Sequence, residues 1–157
     1  MFVLKLKIGK KHIISIVISI IAAVLLFMIL ILTASGNAAP NDSATCDELG
    51  KYSLVAQTVG GEIGFLKHFG FDVISESREC ETVTIPSEFN ETYEEYNELQ
   101  KKIGLDLEKY KGRDAQKITY ELNNSDEKYA VILTINGRVI GAHLTNGEYG
   151  DVNKSLI

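Results

Sequence analysis

A long apolar stretch near the N-terminus precedes the shorter helix and strand patterns of the chain. Twenty consecutive residues from Ile13 to Leu32 carry no charge, and an α-helix of that length is ~30 Å long, which matches the hydrocarbon core of a bilayer. Four lysines precede the stretch, and no lysine or arginine follows it until Lys51. Because positive flanks stay in the cytoplasm, we expect a cytoplasmic basic tail over 1–12, a transmembrane helix over 13–32 and an extracytoplasmic remainder.

A cleaved signal peptide is the alternative interpretation of the same stretch. The small residues of Ala34-Ser35-Gly36 suit a cleavage site, and the product would be a secreted protein. Signal peptides have apolar cores of ~7–15 residues, so the length of this stretch favours an anchor. An anchored chain would cross the cell membrane once, with its C-terminal domain outside.

The segments after the apolar stretch predict one folded domain. Residues 33–44 are mostly small and polar, which predicts a linker, whereas 45–146 carry regular apolar patterns and 147–157 form a tail. Thr45-x-x-Glu48 has the form of a capping box, so a first helix is expected to begin there. Gly60-Gly61 is expected to interrupt that helix.

Two further helices are predicted from apolar spacing. A short one has apolar residues at intervals of three and ends at Gly70. A long one follows Ser87 as its N-cap and ends at Gly104, with acidic residues near its start and lysines near its end. Its apolar face repeats at steps of three and four. The residues of this face are Phe89, Tyr93, Tyr96, Leu99 and Ile103.

Alternation of apolar and polar residues predicts the strands. The predicted strand segments are 71–76, 81–85, 118–122 and 129–135. Asn136-Gly137 is typical of a type I′ hairpin, whose two-residue turn pairs Ile135 with Arg138 and Leu133 with Ile140. We therefore expect an α+β fold in which one long and one short helix cover an antiparallel sheet of four or five strands, preceded by a single transmembrane helix.

Charge and cysteine content restrict the partners and the location. Beyond residue 36 the chain has 12 basic and 21 acidic side chains, a charge of −9. That balance argues against binding to nucleic acid or to anionic lipid surfaces, which need lysine and arginine. Cys46 and Cys80 lie in the outer part, where a disulfide enclosing 33 residues would add ~3–4 kcal/mol; two unrelated thiols are the alternative.

Motifs of known chemistry do not occur in the sequence. The outer domain has two isolated histidines, His68 and His143, and the cysteines do not have zinc-site spacing, so we expect neither a metal nor another cofactor. Glycine loops for phosphate and the nucleophile motif GxSxG are also missing. We therefore do not expect an enzyme.

One string of residues resembles a family of small bacterial proteins, mostly from Gram-positive clostridia and bacilli, that is described as a domain of unknown function, DUF4830. The resemblance covers 63–144, and the residues that carry it include Ile85-Pro86-Ser87-Glu88-Phe89, Tyr96-Asn97, Gly104-Leu105-Asp106-Leu107, Tyr110-Lys111-Gly112 and Gly137-Arg138-Val139-Ile140-Gly141. This resemblance implies one N-terminal hydrophobic segment followed by a small domain. It implies neither an enzymatic activity nor any catalytic residue.

The polar residues of this string without an obvious folding role are candidates for a binding surface. They are Asn97, Gln100 and Arg138, and Tyr93 and Tyr96 join them as amphipathic rings. We expect a membrane-anchored extracytoplasmic module without catalytic activity that binds another envelope protein or a surface ligand. The alternative is a small cell-surface hydrolase in which Glu94 or Glu98 acts with His143.

Overall fold

A computed structural model describes residues 42–123, 125–148 and 150–157. The basic tail, the predicted transmembrane helix over 13–32 and most of the linker lie outside these residues. Among the described residues, no helix is both long enough and apolar enough to cross a membrane.

The described residues form an α+β domain with two helices and an antiparallel four-stranded sheet, which confirms the predicted class. The strands are β1 (Ser43–Cys46), β2 (Gly50–Ser53), β3 (Glu79–Thr84), β4 (Asp114–Glu121), β5 (Tyr129–Ile135) and β6 (Arg138–Thr145), and the helices are α1 (Val59–His68) and α2 (Glu91–Lys102). Two short 3-10 helices, Ser75–Ser77 and Leu107–Tyr110, join them. The main sheet has the order β3-β4-β5-β6, and β1 and β2 form a separate hairpin.

The main sheet carries an apolar core on each face. On one face α1 and the β1–β2 hairpin bury residues such as Tyr52 and Leu66 against Tyr120 and Ile132. On the other face α2 and the 3-10 helix at 107–110 form a smaller core. It contains Ile85, Leu107, Ala115, Leu133 and Ile140, with Phe89, Tyr93 and Tyr96 packed at its side. The tyrosine-bearing helix α2 thus lies against the β5–β6 hairpin.

The first predicted helix is wrong, because Thr45 lies in β1 and the segment folds as a hairpin. Burial there follows a period of two: Tyr52, Leu54 and Ala56 are buried, and the residues between them are exposed. A period of two is the pattern of a strand with one buried face. The capping-box form at Thr45 coincides with this longer-range pairing and does not start a helix.

The short helix α1 is confirmed, but Gly60-Gly61 belongs to it. Thr58 is the N-cap, and its hydroxyl accepts a hydrogen bond from the Gly61 backbone N–H at 3.2 Å. At the other end Gly70 has a φ of +88°, and the Phe71 N–H donates to the Leu66 carbonyl at 3.1 Å. This is the predicted glycine-terminated end of a helix.

Three other boundaries differ from the predictions. The predicted strand over 71–76 is wrong, since Val73 makes an isolated bridge to Leu122 and a 3-10 helix follows. The predicted strand segment 81–85 is confirmed, but it begins two residues earlier, as the edge strand β3. Helix α2 is capped by Asn90 rather than Ser87, because the Asn90 side chain accepts a hydrogen bond from the Tyr93 N–H at 2.9 Å.

The β5–β6 turn is as predicted, with φ of +52° at Asn136 and +71° at Gly137, and Ile135 pairs with Arg138. The predicted pairing of Leu133 with Ile140 is wrong: a β-bulge shifts the register, and Leu133 pairs with Gly141. A shift of one residue moves every later side chain to the opposite face. The bulge therefore places His143 opposite Val131, on the face that α2 partly covers.

Candidate functional site

Part of the sheet face that carries α2 remains open and forms a cleft of about 720 Å³. The side chains of strands alternate between faces, so residues two apart share this face. The strand register aligns them in rows that cross the sheet. One row is Glu79, Thr119, Val131 and His143; a second contains Glu121, Tyr129 and Thr145; a third begins with Glu81 and Lys117. The C-terminal segment closes one side with Glu148, Asp151 and Asn153.

The cleft is strongly acidic. Its lining has five carboxylates and one lysine, and Lys117 is paired with Glu81 at 2.8 Å. That hydrogen bond and the lysine charge lower the pKa of Glu81. Hydrogen bonds from the Thr145 hydroxyl and the Asn146 N–H lower the pKa of Asp151. Glu81 and Asp151 are therefore ionised at neutral pH, and the negative potential of the lining favours a cationic ligand.

His143 is the polar group in the floor of the cleft. It is only 8 % exposed, and its Nδ1 lies 2.9 Å from the Tyr96 hydroxyl. Burial, and to a smaller extent the charge of Lys117, lowers the pKa of His143 to about 4, so its ring is neutral at pH 7. Burial also raises the pKa of Tyr96, which keeps its proton.

These two protonation states determine what His143 can offer. The Tyr96 hydroxyl shares a hydrogen bond with Nδ1, and a neutral imidazole has one N–H donor and one acceptor nitrogen. Within the described residues, the structure gives Nε2 no hydrogen-bond partner. The cleft therefore has one imidazole nitrogen available in its floor, with carboxylates around it.

Two of the residues predicted for a binding surface are not at the surface. Asn97 is 2 % exposed and Gln100 is fully buried. The Asn97 side chain accepts from the Leu107 N–H at 2.7 Å and donates to Asp106 at 3.0 Å, which fixes the chain after α2. The expectation that these two amides face a partner is corrected: both satisfy backbone or side-chain groups inside the domain.

The other predicted residues lie in different places. Tyr93 and Tyr96 are partly buried in an aromatic row that runs from Phe89 to His143, with ring centroids 4.6, 5.4 and 5.3 Å apart. Tyr96 thus supports the cleft through His143 rather than lining it. Arg138 lines a second, smaller cavity. The five predicted residues do not form one continuous surface.

The predicted Glu–His pair of a hydrolase is not assembled. Glu94 and Glu98 are exposed on α2, and Glu98 pairs with Lys101 at 2.7 Å. Neither residue lines the cleft that contains His143. Across the described part of the chain, no group of three or more His, Cys, Asp or Glu side chains is arranged to hold a metal ion.

The two cysteines are separate free thiols in the structure. Cys46 is buried in the core beneath the β1–β2 hairpin, and Cys80 is exposed on β3, where its thiol donates to Gln116 at 3.2 Å. Of the two alternatives that the sequence left open, the structure has the unbridged one.

Sequence reasoning missed most of the cleft, although β4 contained a signal for it. Lys117, Thr119 and Glu121 alternate with apolar residues, which marks a strand with a polar face. Nothing local indicated that this face meets Glu79 on β3 and His143 on β6, since both contacts depend on register and on the bulge.

The sequence of the chain matches a known protein family. The model of a family described as "Domain of unknown function (DUF4830)" matches residues 65–144, slightly more than half of the chain. The match contains α2, β4, β5 and nearly all of β6, and thus most of the residues that form the cleft. No curated protein and no solved structure matches the chain. The chain belongs to the DUF4830 family.

Proposed function

We propose that this protein is a membrane-anchored extracytoplasmic binding module whose cleft holds a cationic group of another envelope component. The anchor rests on the uncharged stretch from Ile13 to Leu32 and its basic flank. The binding role rests on one observation: an open cleft with five carboxylates surrounds a neutral, almost fully buried histidine.

Charge and shape both favour a cationic partner. With Lys117 counted and His143 neutral, the lining has a net charge of −4. The part of the chain beyond residue 36 has a charge of −9, so its electrostatic field attracts cations and repels anions. Tyr129, which is partly exposed, adds apolar surface to the lining of the cleft, and this surface suits the aliphatic stem of a lysine or arginine.

Binding of a cationic peptide tests the role of the cleft. Tetralysine is titrated into the full-length protein in detergent and followed by calorimetry, with tetraglutamate as the opposite-charge probe. An exposed ion pair contributes ~0.2–1 kcal/mol, so a double variant with Glu79→Gln and Glu121→Gln is expected to bind tetralysine about two- to thirtyfold more weakly. High salt should weaken binding to the unmodified protein in the same direction.

A second double variant controls for net charge. Glu94→Gln with Glu95→Gln removes two exposed carboxylates from α2, outside the cleft. We expect it to retain nearly all of the affinity for tetralysine. Equal losses in both double variants would mean that the peptide responds only to overall charge, and the cleft would not be the binding site.

The location is tested by fractionation. Mass spectrometry of the membrane and medium fractions should find the full-length chain in the membrane. A shorter chain in the medium, beginning near Asn37, would mean that the protein is secreted rather than anchored. The assignment of the cleft would be unchanged.

A further inference from the structure

We propose that the cavity beside Arg138 is a second binding site, which takes an oxyanion, carboxylate or phosphate, with the Arg138 guanidinium as its main donor. The cavity has a volume of about 350 Å³ and lies between β1, the 104–110 segment and the start of β6. It shares no lining residue with the acidic cleft. The proposal therefore does not depend on the function of the cleft.

Arg138 differs from the other two arginines beyond residue 36. Arg78 forms two hydrogen bonds to Glu62, at 2.8 and 2.9 Å, and Arg113 lies over the ring of Tyr110, 5.7 Å from its centroid. For the Arg138 side chain, the structure gives no hydrogen bond, ion pair or aromatic contact with another described residue. This is unexpected in a region where acidic residues outnumber basic ones by 21 to 12.

The inner nitrogen of Arg138 is the second observation. Its Nε is buried and has no hydrogen-bond partner among the described residues. A buried donor without a partner costs ~1–3 kcal/mol, more when the group is charged, so such a donor calls for a ligand that completes it. A planar guanidinium can present Nε and a terminal nitrogen together to two oxygens of a carboxylate or phosphate.

The charges around the cavity leave Arg138 uncompensated. Asp106 also lines it, but its Oδ1 accepts from the Asn97 amide at 3.0 Å and from the Glu108 N–H at 3.1 Å. Lys109 Nζ lies 4.0 Å from the other oxygen of Asp106. Lys109 and Asp106 offset each other, and the charge of Arg138 remains as an excess of +1.

The rest of the lining suits a small oxyanion. Ser43, Thr45 and Tyr110 carry hydroxyl groups for which the structure gives no hydrogen-bond partner within the described residues. Leu54, Leu105 and Ile140 supply an apolar wall, which lowers the local dielectric and strengthens a hydrogen bond to a charged group. The distant carboxylates of the domain are screened beyond ~10 Å at 0.1 M salt.

The Nε–H resonance of Arg138 provides a direct measurement. Inorganic phosphate, glycerol 3-phosphate and acetate are titrated separately into the full-length protein in detergent at constant ionic strength, with chloride as the reference anion. We expect a saturable shift of the Arg138 Nε–H signal with at least one of the three. Preference for glycerol 3-phosphate assigns the site to a lipid-type headgroup, preference for inorganic phosphate to the free ion, and preference for acetate to a carboxylate.

Three variants separate the guanidinium from charge and folding. Arg138→Gln should lose at least tenfold in affinity, whereas Arg138→Lys, which keeps the charge without the planar fork, should lose less. Lys67→Gln removes one exposed positive charge from α1, away from the cavity, and should bind as the unmodified protein does.

Two outcomes would overturn the proposal. One is the absence of any saturable shift of the Arg138 signal in the unmodified protein. This outcome does not depend on whether any variant folds. The other is binding that Arg138→Gln and Lys67→Gln weaken equally, because that result would report net charge alone.

Discussion

The side-chain Oε1 of Gln100, on helix α2, accepts a hydrogen bond from the backbone N–H of Ala142, on strand β6, at 2.7 Å. Strand β6 is the last of the sheet, and its outer edge would otherwise present unpaired backbone groups. Residues 54–56 bond to one end of this edge and Lys154 to the other. Gln100 fills the gap between them, so a helix side chain replaces part of a missing strand.

Removing this amide should destabilise the domain more than its size suggests. In Gln100→Ala the Ala142 N–H is left buried without its acceptor, whereas the Nε2 of Gln100, buried without a partner among the described residues, is removed. We expect a net loss of ~1–2 kcal/mol in the free energy of unfolding. Urea denaturation measures the loss. Glu98→Ala, an exposed change on the same helix, should stay within ~0.5 kcal/mol. Similar midpoints for the two variants would mean that the contact contributes little.

A partly buried ion pair between Glu62, on α1, and Arg78 should control stability in acid. Burial opposes ionisation of Glu62, but hydrogen bonds from Arg78 and Tyr120, together with the charge of Arg78, outweigh it and lower the pKa of Glu62. A carboxylate with a lowered pKa stabilises the fold above its unfolded value of ~4.3, and this contribution is lost as pH falls through the folded pKa. Glu62→Gln should therefore flatten the dependence of stability on pH below ~4.3.

The partner of Glu62 provides a second test. Arg78→Ala leaves a carboxylate that is 4 % exposed without its cation, and we expect a loss of about 3 kcal/mol at pH 7. Lys101→Ala breaks the exposed pair with Glu98 and should cost less than ~1 kcal/mol. If both variants unfold at the same urea concentration, Glu62 does not depend on Arg78.

His143 should produce a separate effect at higher pH. Its pKa is about 4 in the folded domain and ~6.5 in an unfolded chain, so the unfolded state binds more protons between these values. Stability is then full above pH ~6.5 and falls as pH decreases toward 4. His143→Gln should remove most of this slope. Proton NMR should show no titration of the ring above pH 5, and a midpoint near 6.5 would contradict the buried, neutral state.

The two thiols should react at very different rates. Cys80 is exposed and Cys46 is buried, so a thiol reagent added to the native protein is expected to label one cysteine quickly and the second only after denaturation. Cys80→Ser should abolish the fast label. If both labels appear only after reduction, the two cysteines form a disulfide in the native protein.

Local patterns were sufficient for the elements whose partners are near in sequence. The run Tyr129–Ile135 and the Asn136-Gly137 turn predicted β5 and the start of its hairpin, because a two-residue turn needs positive φ and brings its flanking residues together. The spacing of Tyr93, Tyr96 and Leu99 likewise predicted the helix α2, and its two tyrosines pack at the side of the smaller core.

Contacts between distant segments account for the errors. The apolar spacing of α2 indicated a buried face of tyrosines and leucine, but its deepest residues are Asn97 and Gln100. Polar side chains can be buried when groups elsewhere satisfy them, here the N–H groups of Leu107 and Ala142. Those partners, like the bulge that turns His143 into the cleft, are visible only when the segments have been brought together.

The covered edge of β6 also limits how copies of this domain can associate. Within the described residues, strand β3 pairs with β4 on one side and has no strand on its other side. Its charged side chains Glu79 and Glu81 discourage pairing with a strand of another molecule. A sheet with one free edge can add a second copy once, edge to edge, and both partners are then closed. Through its main sheet, such a domain can form a two-fold dimer, but that sheet cannot propagate into a fibre by strand addition.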